Sequence, residues 1–127
     1  MLNVVDEEVM DILREVVAEN PDYIYRAPPV DPPHVADRQM SCLYVHTDAD
    51  GSNPRPGCVA GHVMYRLGIP LDTLKRWEGV DALSLMQEFT DADKYTREAL
   101  DVAQTRQDAG ATWAQALHAA EKACGLE

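Results

Sequence analysis

Apolar residues recur at helical spacing along most of this chain, and this periodicity predicts a mainly α-helical protein. The clearest case is a helix over 3–19, whose apolar face holds Val5, Val9, Ile12, Leu13 and Val16. Turn and cap residues divide the rest of the chain into further helices. These are expected over 57–67, over 71–78, from Asp81 through Phe89, from Thr90 or Asp91 to just before Gly110, and from Trp113 to Cys124. We therefore expect about five to six helices in a single compact domain spanning 1–127.

The last two predicted helices are expected to form an antiparallel hairpin over 98–124, since only a very short turn joins them. The stretch TWAQ has the form of a capping box, with Thr112 at the N-cap and Gln115 at the third helical position. Between two shorter helices, Gly68 is placed to end the first of them in left-handed backbone. In the first helix of the hairpin, the side chains predicted to face the core are Tyr95, Ala99, Val102 and Ala103.

Two short segments favour extended backbone. They are DYIYR (22–26) and CLYVH (42–46), which are rich in β-branched and aromatic residues. We expect them to pair as a small two-stranded antiparallel element covered by helices, since two strands alone are only marginally stable. The Pro-rich segment 27–36 and the segment 47–56, dense in Asp, Gly, Asn and Pro, are the expected loops.

The charge of the chain narrows the classes of partner. Acidic residues outnumber basic ones by 22 to 11, which gives a net charge of −11. Such a surface repels anionic lipid and general nucleic-acid phosphate, so a membrane partner is not expected. The acidic N-terminal stretch does not have the form of a signal peptide, and three cysteines fit a reducing compartment, which together predict a cytoplasmic protein. The amphipathic first helix leaves a homodimer open.

Two Cys-x3-His pairs suggest a metal site. Cys42, His46, Cys58 and His62 would make a Cys2His2 zinc set. Cys58 and His62 can share an ion if both lie on a helix, where i and i+4 side chains are about 6 Å apart. Cys42 and His46 would be about 13 Å apart on a strand, too far for one ion. The alternative is that both cysteines are small buried side chains beside each other and both histidines are partly exposed, so that no cofactor is bound.

The segment GHVMYRLGIPLDTLKRWEG (61–79) resembles helix-turn-helix segments of the MerR and excisionase type. Its second half, TLKRWE (73–78), matches a sequence pattern that is common in the recognition helices of those proteins. The resemblance implies a DNA-binding regulator whose side chains would contact base edges and phosphates. Those side chains would be Arg66, Thr73, Lys75 and Arg76. The alternative interpretation is an ordinary pair of packed helices.

A broader resemblance covers most of the chain. It is carried by NPDYIY (20–25), CLYV (42–45), PGCVAGHVMYRLGIP (56–70), EG (78–79) and AQTRQDAGATWAQAL (103–117). Read together, these segments are similar to a family of small proteins from actinobacteriophages and their actinobacterial hosts. Here Met64 replaces a Leu of the middle motif. The family brings no activity with it, and the resemblance implies a small cytoplasmic protein of an infected or lysogenic bacterial host.

The sequence therefore predicts an interaction protein more strongly than an enzyme. GCVAG lacks the Lys-Ser/Thr of a phosphate-binding loop and the spacing of a nucleophile elbow, so no enzymatic activity is expected. The expected function is binding of a host or phage protein, with DNA binding and a zinc-stapled domain as alternatives. The expected structural core comprises Cys42, Tyr44, Cys58, Gly61, Leu67, Gly68, Trp77 and Trp113.

Overall fold

A computed structural model describes residues 3–4, 6–26, 43–48 and 50–125 of the chain. These residues form six helices and one two-stranded antiparallel sheet, which confirms a mainly α fold with a small β element. The helices are α1 (Asp6–Glu19), α2 (Val59–Arg66), α3 (Leu71–Arg76), α4 (Ala82–Phe89), α5 (Lys94–Asp108) and α6 (Trp113–Ala123). In the described residues, no helix is both long enough and apolar enough to cross a membrane.

One strand of the small sheet lies within the predicted extended segment 42–46, but its partner strand is not the predicted segment 22–26. Strand β1 (Val45–His46) pairs with β2 (Arg55–Pro56), in the register Val45 with Pro56 and His46 with Arg55. The end of the predicted loop 47–56 is therefore a strand, and the segment 47–54 joins it to β1. The segment 22–26 is not the partner strand, because only Ile24 forms a bridge, and it does so with Thr112 at the start of α6. The predicted loop 27–36 lies outside the described residues.

Helix boundaries follow the local cap signals. Asp81 accepts a hydrogen bond from the Ser84 N–H and opens α4. The capping box of α6 is present as predicted, with reciprocal bonds between Thr112 and Gln115. Helix α5 begins later than expected, because Asp93 rather than Thr90 or Asp91 is its N-cap.

The buried side chains form one cluster, contributed by every helix and by β1. Within α5, Ala99 and Ala103 are buried as predicted and Val102 is partly buried. Tyr95 was expected on the inward face but is 60% exposed, because it lies in the first turn of the helix at the edge of the core.

The expected core residues divide into four groups. Tyr44, Cys58, Gly61 and Trp113 are buried, and Leu67 and Trp77 are partly buried. Gly68 is exposed, contrary to the prediction. Its positive φ of 111° allows it to end α2. Cys42 lies outside the described residues.

The start of α2 lies directly against the residues that lead into β1, and Gly57 and Gly61 make this approach close. A Cβ on Gly61 would overlap the carbonyl oxygen of Tyr44, and one on Gly57 would overlap the His46 ring. The backbone N–H of Gly57 donates to the same Tyr44 carbonyl at 2.8 Å, and that of Cys58 donates to Leu43 at 3.0 Å. The PGC-x-x-G motif is therefore a packing motif that docks a helix onto a strand.

Two buried glutamines of α5 also contact the start of α2, where they accept hydrogen bonds from its backbone. The N-cap Cys58 offers no side-chain hydrogen bond, so the first N–H groups of α2 need other partners. Gln107 accepts from the Val59 N–H at 2.8 Å, and Gln104 accepts from the Ala60 N–H at 3.1 Å. Gln107 also accepts the indole N–H of Trp113 at 3.1 Å, which ties α5, α2 and α6 together.

Glu78 fixes β1 from the side of α3. Its carboxylate accepts the backbone N–H groups of Tyr44 at 2.6 Å and Val45 at 3.3 Å. The Tyr44 hydroxyl donates to the Val80 carbonyl. Backbone and side-chain hydrogen bonds therefore both join the strand to the 78–80 segment. Burial raises the pKa of the Glu78 carboxyl, and the two N–H donors oppose that rise.

Candidate functional site: a histidine–aromatic cleft and an acidic groove

The four predicted zinc ligands are only partly brought together. His46 on β1 and His62 on α2 border one cleft, whereas Cys58 is fully buried and Cys42 is not among the described residues. Cys58 is the N-cap of the helix that begins at Val59 and is fully buried, whereas His62 borders the cleft. In the described part of the chain, no three His, Cys, Asp or Glu side chains are grouped so that they could hold a metal ion. The four-residue zinc site, which needs Cys42, stays a prediction that metal analysis of the purified protein would test.

The cleft that His46 and His62 border has a volume of about 330 Å³. It lies between the end of α1, the start of α6 and the β1–β2 hairpin. Its lining combines imidazole rings, aromatic rings and polar groups. The residues are Glu19, Asn20, Tyr23, His46, Pro56, Gly57, His62 and Trp113. The volume is at the lower end of the range of ligand pockets, so the cleft suits a small group.

His46 is held on three sides. The Tyr25 hydroxyl lies 2.7 Å from its Nε2 atom, the Tyr25 ring packs against the imidazole at 5.4 Å, and Gly57 lies against the ring. The same hydroxyl accepts the Leu43 N–H at 2.9 Å. Burial lowers the pKa of His46 below 6.5, and the positive charge of Arg55 lowers it further, so the ring is neutral at neutral pH.

His62 faces the cleft from α2 and packs edge-to-face on Trp113, with ring centroids 5.4 Å apart. Tyr23 packs on the same indole at 4.9 Å. Burial lowers the pKa of His62, and Arg66 adds to this while Glu19 opposes it. Both imidazoles of the cleft are therefore neutral near pH 7.

The predicted DNA-contacting residues do not share one free surface. Arg66 lies at the end of α2 and forms ion pairs with Glu19 at 2.5 Å and Glu15 at 3.8 Å. Lys75 and Arg76 are exposed on α3, where the Arg76 guanidinium donates to the Thr73 hydroxyl at 3.4 Å.

The helix that would enter the DNA is also short. Helix α3 has six residues, and Trp77 after it packs edge-to-face on Phe89 of α4 at 5.1 Å. This geometry matches an ordinary packed helix pair, the alternative interpretation of the segment 61–79.

A second concave surface, here called the acidic groove, lies where the first turns of α1 and α5 meet the end of α6. Its volume is about 440 Å³. Its lining residues are Asp6, Glu7, Met10, Asp11, Arg14, Asp93, Tyr95, Thr96 and Cys124. Four carboxylates therefore surround one guanidinium, with a buried methionine below and an exposed tyrosine beside them.

Several of these acidic side chains hold the groove in place. Asp6 accepts the Asp93 N–H at 2.9 Å, and Asp93 accepts the Thr96 N–H at 2.8 Å, which fixes α5 against α1. Arg14 bridges Asp11 at 3.0 Å and Glu121 at 3.1 Å. Glu7 is exposed, and within the described residues its carboxylate has no hydrogen-bond or ion-pair partner.

Sequence reasoning missed this groove and most of the cleft. The sequence predicts Tyr23 and Tyr25 as strand residues and Tyr95 as a residue of the inward face of its helix. Gln104, Gln107 and Glu78 carried no recognisable motif signal as hydrogen-bond partners, because their partners lie dozens of residues away in the chain.

Comparisons of the chain with protein-family descriptions, with curated proteins and with solved structures find no match in any of the three. The resemblance to actinobacteriophage proteins and the local resemblance to helix-turn-helix segments therefore stay predictions. The function is argued from the geometry of the cleft and the groove.

Proposed function

We propose that this protein is a small, non-enzymatic accessory protein of phage type that works in the bacterial cytoplasm by binding a host or phage protein. The acidic groove is the proposed contact surface, and a basic, amphipathic segment of the partner is the proposed occupant. The phage-type origin and the cytoplasmic location rest on the resemblance of the sequence motifs.

The observation that carries the proposal is the exposure of Tyr95 at the groove. A tyrosine that is 60% exposed beside the buried Met10 offers a partner an aromatic contact over an apolar floor. Tyrosine is enriched at the centres of protein interfaces, because its ring is apolar and its hydroxyl can be hydrogen-bonded.

Charge complementarity selects the partner. The groove has four carboxylates against one guanidinium, in a chain of net charge −11. A basic segment is attracted to this surface, and apolar side chains on the same segment would contact Met10 and Tyr95. A second copy of the chain is a poor occupant, since two surfaces of the same strong charge repel each other.

Support for a binding role over a catalytic role comes from the use of the buried polar side chains. Gln104 and Gln107 cap a helix, and Thr90 donates to the Met86 carbonyl at 2.7 Å. These groups are engaged in holding elements together, so none of them is poised for proton transfer.

Affinity capture from a bacterial lysate with matched variants tests the proposal. The double variant Glu7→Gln/Tyr95→Ser changes the groove. The control Glu8→Gln/Tyr65→Ser makes the same two changes at exposed positions of α1 and α2 that do not line the groove. We expect one dominant protein to be retained by the wild type and the control and lost from the groove variant. Equal capture by both variants would contradict the groove as the contact surface.

A further inference from the structure

Three side chains that line the histidine–aromatic cleft carry polar groups that the fold does not use. They are Asn20 just after α1, Tyr23 a few residues later, and His62 on α2. Within the described residues, the Asn20 amide, the Tyr23 hydroxyl and the ring nitrogens of His62 form no hydrogen bond. None of these atoms is among the buried atoms without a partner, so they keep contact with solvent. Polar atoms predominate on the surface of the cleft, which therefore offers a ligand several donors and acceptors.

The charges around the cleft are balanced. The Glu19 carboxylate at its edge is paired with Arg66 at 2.5 Å. Arg55, the cross-strand neighbour of His46, is paired with Asp48 at 3.2 Å. Since both imidazoles are neutral near pH 7, the cleft holds no unpaired charge in the part of the chain that the structure describes. A neutral ligand is therefore favoured over an ion, which would find no free opposite charge here.

Hydroxyl groups suit the unused polar groups of the cleft. A neutral imidazole has one donor and one acceptor nitrogen in either tautomer, and a hydroxyl can pair with both kinds of atom. A hydroxyl therefore bonds to His62 whichever of its ring nitrogens carries the proton. The Tyr23 hydroxyl and the Asn20 amide also both donate and accept. A ligand with several hydroxyls can thus meet more than one of these side chains.

The aromatic rings beside these groups favour a ligand that also has an apolar face. Tyr23 and His62 pack edge-to-face on Trp113, at 4.9 and 5.4 Å, and Tyr23 stays partly exposed at the cleft. The C–H groups of a sugar ring form such an apolar face, while its hydroxyls point outward from the rim. The volume of about 330 Å³ has room for one such ring. Because Trp113 is buried and fixes both neighbours before binding, little side-chain entropy is lost.

We propose that this cleft binds one neutral sugar ring, a monosaccharide whose hydroxyls bond to Asn20, Tyr23 and His62 and whose C–H face packs on the Tyr23 ring. The site goes beyond the proposed function, since the cleft and the acidic groove share no lining residue.

Methyl glycosides of glucose, galactose and mannose are the probes, because they are neutral and differ only in the orientation of their hydroxyls. Tetrahydropyranyl methyl ether is the matched control, since it keeps the ring oxygen and the methoxy group and has no hydroxyl. Binding is followed at neutral pH by NMR of the indole N–H signals. We expect at least one glycoside to give a saturable shift at Trp113, with a Kd in roughly the millimolar range. Trp77, which packs on Phe89 and does not line the cleft, should show none, and the ether should shift neither signal.

Three variants separate the proposed contacts from a structural effect. Tyr23→Phe removes one hydroxyl, and His62→Phe removes the imidazole nitrogens, while each keeps a ring against Trp113. Each should weaken glycoside binding by about three- to tenfold, which is the loss expected for one hydrogen bond. Tyr65→Phe makes the same change at an exposed tyrosine of α2 that does not line the cleft, and it should leave the affinity unchanged. No saturable shift with any glycoside, equal binding of the ether, or equal effects of Tyr23→Phe and Tyr65→Phe would overturn the proposal.

Discussion

The side-chain oxygen of Gln107, on α5, lies 2.8 Å from the backbone nitrogen of Val59 and accepts the first N–H of α2, three helices earlier in the chain. The same oxygen accepts the Trp113 indole N–H. One buried amide thus satisfies two donors that would otherwise lack partners, and it does so at the junction of three helices. The junction also positions His62, on α2, beside Trp113, on α6.

Gln107→Leu is expected to destabilise the protein by about 2–6 kcal/mol, because it leaves two buried donors unpaired at about 1–3 kcal/mol each. Urea denaturation at neutral pH measures this as a fall in the free energy of unfolding. The control Gln87→Leu changes an exposed glutamine of α4 and should stay within about 0.5 kcal/mol of the wild type. Equal effects of the two substitutions would show that the Gln107 contacts contribute nothing specific.

Gly61→Ala tests the close approach of α2 to β1. Alanine favours a helix interior over glycine by about 1 kcal/mol, so propensity alone predicts stabilisation. The added Cβ would overlap the Tyr44 carbonyl oxygen, which is backbone and cannot move aside as a side chain can. We therefore expect a net loss of about 1–3 kcal/mol in the free energy of unfolding, typical of overpacking. A Gly61→Ala protein more stable than the wild type would show that the backbone at Tyr44 moves away from the added Cβ at little cost in free energy.

Acid should destabilise the protein through its two cleft histidines. Their pKa values are lowered below 6.5 in the folded state, so the unfolded chain takes up protons first as the pH falls. Their contribution is fully present above about pH 6.5 and is lost as the pH falls through the folded pKa values. Glu78 and Asp101 have raised pKa values and oppose this trend at lower pH, because the folded state protonates first there.

The measurement is urea denaturation at about pH 7.5 and about pH 5.5, a window that brackets the ordinary pKa of histidine. A His46→Gln/His62→Gln variant should lose less stability between the two values than the wild type does. An unchanged pH dependence in the double variant would mean that neither cleft histidine is held neutral by the fold.

Binding to duplex DNA separates the proposed function from the helix-turn-helix alternative. Because Arg66 is paired with Glu19 and α3 has only six residues, we expect no shift of duplex DNA in a gel assay at low salt. A shift that Lys75→Ala and Arg76→Ala abolish would favour the alternative. A shift that survives both changes would indicate contact through another surface.

The local features of the fold could be predicted from the sequence. The helical periodicity, the Asp81 cap and the capping box at Thr112 each depend on residues within one or two turns of each other. The glycines of the PGC-x-x-G motif were recognised as a motif, but the need for them became visible only with the Tyr44 carbonyl in place.

The long-range features could not be predicted. The predicted partner strand of β1 was wrong, because β-propensity identifies extended segments but does not determine which two segments pair. The histidine–aromatic cleft depends on Tyr25 meeting His46 across 21 residues, and the groove depends on the ends of three helices. The sequence predicted a site role for the two histidines among the cleft's lining residues, and that role was metal binding.

Isothermal titration with a synthetic amphipathic peptide of Lys and Leu tests the central claim most directly, with the Glu/Leu counterpart as the charge control. We predict that the Lys/Leu peptide binds the wild type and the Glu8→Gln/Tyr65→Ser control with equal affinity. The Glu7→Gln/Tyr95→Ser variant should bind it about tenfold more weakly, the loss expected when an aromatic contact and one charge are removed from an interface. Equal affinity of both double variants would contradict the acidic groove as the binding surface and leave only a general attraction between opposite charges.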